Sequence, residues 1–380
     1  MKECKVCQRS LYEIPLLEFR DMPAVAQNFP DKADLDSDRG VSFDVKQCSG
    51  CGLIQLTSPP VPYHRDVIRA AAYSPGMLQF RRKQFSEFLE KSNTRGARLL
   101  EVGCGRGEYL SLMQEAGANV SGLEHCWSSV EACQKNGLDV MEGYIESGDY
   151  KIRGAPFDGF FIMSFLEHIP DINSFLRGIA GNLVEGGIGL VEVPNFDMIL
   201  RERLISEFMT DHLYYFTEDT LRTALNLNGF DVISCREIWH NYILSAVVTK
   251  KRKVSFAPFH EPVKTIRQSL DSFLAMFPEK TAAIWGAGHQ ALAAISLYSL
   301  KDRIAYVVDS APFKQGKFTP ATHLPIRSPE YLKADPEIRA VIVMGAGYSD
   351  EIVERVEKDF SNALSIAVLR SEKIEVLRTL

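Results

Sequence analysis

From Arg98 onward the sequence alternates short β-rich runs with amphipathic helical patterns, and it does so twice. RLLEV, NVSGLE, FDGFFIM, GIGLVEV, FDVIS and YILSAVV fill the chain to about residue 250. After a helix-like stretch, VKTIRQSLDSFLAMF, the alternation restarts with AAIW, IAYVVD and AVIVM. Strands separated by helices close as a mostly parallel sheet covered on both faces. The expected fold is therefore α/β, with a doubly wound sheet in the middle and a second α/β domain at the carboxyl end. The two blocks share an architecture but no extended repeat. A length of 380 residues suits two or three domains.

Ahead of the alternation stand two Cys-x-x-Cys pairs, Cys4/Cys7 and Cys48/Cys51, followed by a Pro59-Pro60 break. Zinc takes four ligands in a tetrahedron, and one tight Cys-x-x-Cys turn supplies two thiolates. Two such turns close a site. Residues 1 to 60 are thus expected to be a small zinc-binding domain, residues 61 to 252 the first α/β domain and residues 253 to 380 the second. The separation between Cys7 and Cys48 exceeds that of a compact zinc ribbon, which implies a subdomain inserted between the knuckles. A redox dithiol is the rival reading, although neither pair stands between a strand and a helix. Buried, unligated thiols are the third. A closed four-thiolate site has no open position for chemistry, so its role is structural. Cys104, Cys126, Cys133 and Cys235 are scattered and read as incidental.

The net charge of −6 argues against a protein built to grip nucleic acid. The one basic run, Lys250-Lys251-Arg252-Lys253, reads as a solvated linker. MKECKVCQRS lacks the apolar centre of a signal peptide, and no apolar run approaches the roughly 18 residues that span a bilayer. The expectation is a cytoplasmic protein with a small-molecule partner, and with neither nucleic acid nor membrane. The sequence leaves the oligomeric state open.

RLLEVGCGRGEYLSLMQEAG carries the strongest functional signal. A strand with Glu101 near its end runs into Gly103, Gly105 and Gly107, then into a helix. Glycines at alternate positions allow a sharp turn and let a ligand approach the backbone. The spacing is G-x-G-x-G, not the G-x-G-x-x-G of dinucleotide sites. The next strand ends in Glu124, placed to accept both hydroxyls of a ribose. Together with FDGFFIMSFLEHIPD and with Gly186-Gly187 before GLVEVPN, this pattern resembles the class I S-adenosylmethionine-dependent methyltransferases. The resemblance implies S-adenosylmethionine as cofactor, with Gly103, Gly105 and Gly107 along it and Glu124 on its ribose. Gly143 and Tyr144 would lie near the adenine, and Ser164, Phe165 and Leu166 on the other side. Glu101 would orient the loop or the methionine ammonium. A loop that merely turns is the alternative.

Methyl transfer needs an acceptor aligned with the sulfonium methyl and often a base for its proton. Histidine suits that task near neutrality. His168, in FLEHIPD, follows the fourth strand; it either caps the next helix or faces the site. His212, in MTDHLYYF, stands beside Asp211, whose carboxylate can orient the imidazole and raise its basicity.

A narrower resemblance then appears. CKVC, DMPAVAQNF and VKQCSGCGLIQL are similar to the zinc-binding amino-terminal domain of the sugar C-methyltransferase family, which acts on nucleotide-linked ketosugars. DHLYYF resembles that family's E-H-x-x-Y-F segment. WGAG, YVVDSAPFKQGKFTPATHLPI and SDEI resemble its Rossmann-like carboxyl-terminal domain. The resemblance covers essentially the whole chain in order. It implies loss of a proton from carbon beside a ketone, with His212 as base, and attack of the enolate on the methyl group.

Three departures bear on the acceptor. Asp211 stands where the family has Glu, and Met209 where it has Tyr. A Tyr-rich segment is reduced to AAAYSPGM, leaving Tyr73 as the match. A lost tyrosine removes a donor that could hold a ketone or enolate. The alternative acceptor is another small metabolite or natural product, methylated at C, O or N. A nucleic-acid methyltransferase and a non-catalytic ligand sensor are the readings from other classes.

AAIWGAGHQALAAISLY holds a second glycine loop, with Gly286, Gly288 and Ala291 as G-x-G-x-x-A and Asp309 at the next strand end. Alone it would predict NAD. Contact with a nucleotide or phosphate of the acceptor and a structural interface are the other readings. Lys314, Gln315 and Lys317 could meet a diphosphate or form an exposed polar turn.

Overall fold

A computed structural model describes residues 3–27, 29–65, 74–360 and 364–380. In it the chain divides into two units, Met1–Lys253 and Val254–Leu380. The cysteine region folds as β1 (Leu17–Met22), β2 (Val41–Gln47) and β3 (Ile54–Leu56), paired antiparallel. Helix α1 (Pro75–Lys91) follows, and its start is set by local chemistry. The Ser74 hydroxyl accepts from Met77 N at 3.2 Å, and Pro75 needs no partner in the first turn.

Eight strands come next: β4 (Arg98–Val102), β5 (Asn119–Glu124), β6 (Val140–Glu142), β7 (Phe157–Met163), β8 (Leu183–Pro194), β9 (Tyr214–Tyr215), β10 (Phe230–Ile238) and β11 (Ile243–Lys250). Seven of them form one sheet in the order β10-β11-β8-β7-β4-β5-β6. All its pairings are parallel except those of β11, which lies antiparallel between β8 and β10. The chain moves outward from β4 to β5 and β6, then returns to β7 on the other side. The carboxyl end of β4 is therefore the switch point, where α/β sheets open a ligand crevice.

Helices α2 (Glu108–Glu115), α3 (Trp127–Lys135), α4 (Ile172–Gly181), α5 (Phe196–Glu202) and α6 (Glu218–Leu227) accompany these strands. Period-two alternation divides the apolar run of β7 between two cores. Phe160 and Ile162 pack with Phe175 and Leu176 of α4 and Leu221 of α6. Phe161 and Met163 pack with Phe85 of α1 and Leu110 of α2. Each such buried side chain contributes about 1.5–3 kcal/mol.

The ninth strand leaves this sheet and completes the other one. β9 pairs with β3, so the four-stranded order is β1-β2-β3-β9. Cys4, Val6, Cys48 and Leu53 join the same apolar cluster as Phe160 and Phe175. The cysteine region thus takes a strand from the later chain and shares its core with the sheet that follows.

The second unit holds α7 (His260–Leu274), β12 (Ala282–Trp285), α8 (His289–Leu297), β13 (Ile304–Val308), β14 (Ile326–Arg327), α9 (Pro329–Ala334), β15 (Ala340–Val343), α10 (Ser349–Asp359), β16 (Ser365–Leu369) and β17 (Ile374–Arg378). Its sheet order is β14-β13-β12-β15-β16-β17, parallel except for β17. The second glycine loop leaves β12 at this sheet's own switch point. Among the described residues no helix is long and apolar enough to cross a membrane.

Candidate active site

The turn after β4 is forced by its glycines. Gly103 has φ +72°, and a Cβ there would sit 2.7 Å from the Phe165 ring. Gly107 has φ +83°, and a Cβ would meet Leu138 Cδ1 at 2.4 Å. Only glycine satisfies both the left-handed backbone and the missing space. Glu124, at the end of β5, clasps this loop. Its Oε2 accepts from Gly105 N at 2.8 Å and its Oε1 from Cys126 N at 2.9 Å. Each oxygen keeps a lone pair, so the carboxylate suits the two hydroxyls of a ribose.

Gly103, Glu124, Gly143, Tyr144 and Phe165 line one small pocket at the sheet's carboxyl edge. Tyr144 is its aromatic wall, edge-on to His125 at 6.1 Å with Arg65 4.9 Å over its face. Burial pushes the Tyr144 phenol up to about 12. The slot is apolar, with an acid at its rim. Glu101 is fully buried within β4, beneath the loop and away from this lining. Leu166 is also fully buried. Ser164, at φ +52°, turns the chain at the end of β7 and lines a second, larger cleft.

That cleft has a volume of about 790 Å³ and is walled by His168, His212, Glu167, Asp211 and Met209 among others. His168 Nδ1 donates to the Asp211 carbonyl at 2.7 Å, which leaves Nε2 unprotonated. Burial lowers the His168 pKa to about 4. The His212 ring meets it edge-on at 4.9 Å. Ligating atoms of Glu167, His168 and His212 lie within 4.8 Å of one another. Helix α4 takes its cap from Asp171, whose Oδ1 accepts from Ser174 N at 3.1 Å, so His168 is not the cap.

The expected partnership of Asp211 with His212 is corrected in two respects. The hydrogen bonds of the Asp211 carboxylate come from the Tyr63 hydroxyl at 2.7 Å and Ala26 N at 3.2 Å. It pins the segment around Ala26 to the cleft rim. Its charge still favours the protonated imidazole, but desolvation is stronger, and His168 adds to the lowering. The His212 pKa is brought down to about 3, not raised. Both imidazoles are neutral at pH 7. Tyr73 lies outside the described residues.

Sequence reasoning missed several residues in and around the cleft. Tyr63, from the segment after β3, has its phenol pushed up to about 12 by burial and by Asp211. Tyr242 enters the cleft from the turn before β11 and donates to Glu207 Oε2 at 2.7 Å. Arg81 and Gln84 of α1 were legible in principle. They occupy the buried stripe shared with Phe85 and Phe88, where apolar residues belong.

The four paired cysteines converge. Cys4 and Cys51 sulfurs lie 3.6 Å apart and Cys7 and Cys48 sulfurs 3.3 Å apart. All four lie within 4.8 Å of one another. A tetrahedron with Zn–S bonds of about 2.3 Å has edges near 3.8 Å, so the set fits zinc. Backbone amides of Val6, Gly50 and Cys51 point at the sulfurs of Cys4 and Cys48, the bonding that stabilises thiolates in such turns.

In the second unit, Asp309 accepts from Ala287 N, Ala311 N and Lys314 Nζ, each at 2.8 Å. Burial opposes its charge, yet Lys314 and the two amides hold its pKa below the usual carboxylate range. Gln315 Nε2 donates to the Asp309 carbonyl at 3.0 Å. Lys314 and Gln315 are thus spent on their own turn. Lys317 lies in the same turn, with its N–H bonded to the Lys314 carbonyl at 3.2 Å.

Comparison with known proteins agrees with this geometry. Residues 76–235 match the family model of a methyltransferase domain, and residues 248–365 that of a C-methyltransferase C-terminal domain. The C-methyltransferase NovU of Streptomyces niveus is 24% identical, over 94% of this chain and 92% of that protein. A ubiquinone biosynthesis O-methyltransferase of Bordetella avium is 34% identical, but over only 24% of this chain and 40% of that one. Similar solved structures include an S-adenosylmethionine-dependent methyltransferase from Clostridium acetobutylicum (13% identity, 45% of this chain, 92% of that chain, TM-score 0.38). Another is a magnesium protoporphyrin IX methyltransferase from Synechocystis (16% identity, 46% and 84%, TM-score 0.38). Likenesses at that level add nothing to the strand order. With both of its α/β parts matched, and a relative aligned along nearly its full length, the chain is an S-adenosylmethionine-dependent methyltransferase with a C-methyltransferase C-terminal domain.

Proposed function

We propose that the chain methylates carbon beside the carbonyl of a nucleotide-linked ketosugar, with His212 as the base. The observation that carries this is the pair of neutral imidazoles, edge to face at 4.9 Å, in the wall of the cleft that Ser164 also lines. When bound, S-adenosylmethionine supplies an electrophilic methyl group. The task of the chain is to make and hold a nucleophile opposite it.

His212 is suited to take the proton because burial keeps it neutral. An imidazolium formed there would be costly alone, but it forms together with an enolate of opposite charge in the same low-dielectric cleft. The His168 tautomer, fixed by the Asp211 carbonyl, presents an acceptor nitrogen and keeps the second imidazole from competing as a cation. Tyr242 lines the same cleft with its hydroxyl donated to Glu207 Oε2. The sugar acceptor is supported by the order of segments along the chain and by a cleft roomy enough for a sugar. Another small-molecule acceptor remains the second reading, favoured by Met209 in place of tyrosine. We also read the four cysteines as a structural zinc site. Metal analysis should find one zinc per chain, lost in Cys48→Ser.

The base is tested apart from methyl transfer. With S-adenosylhomocysteine bound in D2O, the wild-type chain should exchange the acceptor's proton beside the carbonyl. His212→Gln should stop that exchange while still binding S-adenosylhomocysteine. Undiminished exchange in the variant would remove His212 from the role.

A further inference from the structure

The turn between β10 and β11 is strained. Trp239, His240 and Asn241 follow one another with φ of +45°, +56° and +64°. Among the described residues no other two neighbouring non-glycine residues both have positive φ. Asparagine tolerates that region, but a residue as bulky as tryptophan does so only at a cost. Hairpins ordinarily meet the demand with Asn-Gly or Gly-Gly.

Such strain persists where the surroundings over-determine it. Asn195, fully buried just after β8, fastens the tip. Its Nδ2 donates to the Asn241 carbonyl at 2.7 Å, and its backbone N to the Tyr242 carbonyl at 2.9 Å. Tyr242 N closes the turn on the Trp239 carbonyl at 3.1 Å. Arg201 holds the end of β10 through both Glu237 oxygens, at 3.2 and 3.0 Å.

What the strain achieves is a position. Trp239 comes to rest on α1, its ring 5.2 Å from that of Phe80, and it lines the cleft that His168, His212 and Ser164 also line. The residue is only half-buried, so part of its surface stays open. Packing on Phe80 alone gives no reason to keep left-handed residues where glycine would relieve the backbone. The cleft supplies one. Its wall joins hydrogen-bond acceptors, Glu207 among them, to the broad apolar surface of an indole. A pyranose has the matching sides, hydroxyls at its rim and C–H groups on its face.

We propose that Trp239 is the platform for the sugar ring of the acceptor, taking the C–H face of the pyranose while its carbonyl edge meets His212. Asn195 is a positioning residue, since it acts through the turn. This rests on the nucleotide-linked ketosugar as acceptor. The occupant is the sugar and not the nucleobase, because Trp239 shares one cleft with the base His212 and hence with the reacting carbon.

Fluorescence and kinetics test the proposal. The chain has three tryptophans; Trp285 is buried in the second unit and Trp127 stands at the start of α3. With S-adenosylhomocysteine bound, a nucleotide-linked ketosugar should quench the emission of the wild-type chain. The matching nucleoside diphosphate without the sugar should not. Trp239→Phe should lose the quench. In turnover it should raise KM for the ketosugar about 3-fold, and Trp239→Leu about 10-fold, with kcat unchanged. Both variants should bind S-adenosylhomocysteine as the wild type does. Trp239→Phe keeps a ring against Phe80 and serves if Trp239→Leu fails to fold. Unchanged KM would overturn the proposal, as would equal quenching by the nucleoside diphosphate or weakened S-adenosylhomocysteine in both variants. A wild-type chain that methylates the ketosugar while neither variant alters KM removes Trp239 alone. If the wild-type chain methylated no ketosugar, the acceptor reading would fall and this proposal with it.

Discussion

The molecule builds the same corner twice. After β4 and again after β12, a strand enters a glycine turn, a helix leaves it, and an acid at the next strand end clasps the loop. Glu124 accepts from Gly105 N and Cys126 N, and Asp309 from Ala287 N and Ala311 N. The acid in both cases bonds a loop amide and the amide two residues beyond itself. Their surroundings separate them. Glu124 faces a slot with Tyr144 and Phe165, and no cation among the described residues is bonded to it. Asp309 is bonded to Lys314, which completes its own turn. On the proposed function, the first corner keeps its acid for a ligand, while the acid of the second is bonded within its own turn. A fingerprint of glycines and acid thus describes a backbone solution, and the side chains around it differ between the two corners.

The sharpest way to break that contrast is to remove each acid. Glu124→Ala should weaken S-adenosylhomocysteine by about 100-fold or more, because it deletes charged hydrogen bonds to ligand and loop together. Asp309→Ala should leave that affinity unchanged and lower only thermal stability. Equal losses in calorimetry would erase the distinction.

Acid should also act on the first unit. The His168 pKa in the folded chain is about 4, below its ordinary 6.5. As pH falls, the unfolded chain takes up the proton first, so stability present above pH 6.5 is lost progressively toward pH 4. The loss is about 3 kcal/mol at 1.36 kcal/mol per unit. His168→Asn, which keeps a donor for the Asp211 carbonyl, should flatten this part of the profile of melting temperature against pH.

Smaller effects sharpen the comparison further. Gly103→Ala combines a left-handed backbone with a 2.7 Å approach to Phe165 and should cost about 2 kcal/mol. Gly288 is extended, and a Cβ there meets nothing within 4 Å. Gly288→Ala should change the melt by less than about 0.5 kcal/mol. Lys314→Met should cost about 1 kcal/mol or less, as its ion pair is partly exposed.

What the sequence disclosed follows from how locally each feature is determined. The glycine loop and Glu124 are short-range demands of one turn, and they stand where the spacing placed them. The two Cys-x-x-Cys turns likewise bring their sulfurs together, because each knuckle is built within a few residues. Other features depend on assembly. The wall of the cleft takes Arg81 from α1, Ala26 from the cysteine region and Tyr242 from a hairpin, while Tyr63 bonds the carboxylate of its Asp211. No local pattern links these positions. Asp211 illustrates the limit. Adjacency to His212 suggested an orienting carboxylate, but β9 pairs with β3 and brings Tyr63 within reach first. Burial, equally invisible in a motif, then sets the His212 pKa below its ordinary value.

The central claim is transfer of a methyl group to carbon from the corner after β4. The most direct measurement supplies S-adenosylmethionine with a 13C-labelled methyl group and a nucleotide-linked ketosugar, and follows the label by NMR. The account predicts a labelled methyl group bonded to the carbon beside the ketone, with none formed by Glu124→Ala. Label appearing on oxygen or nitrogen, or carbon methylation undiminished in that variant, would contradict it.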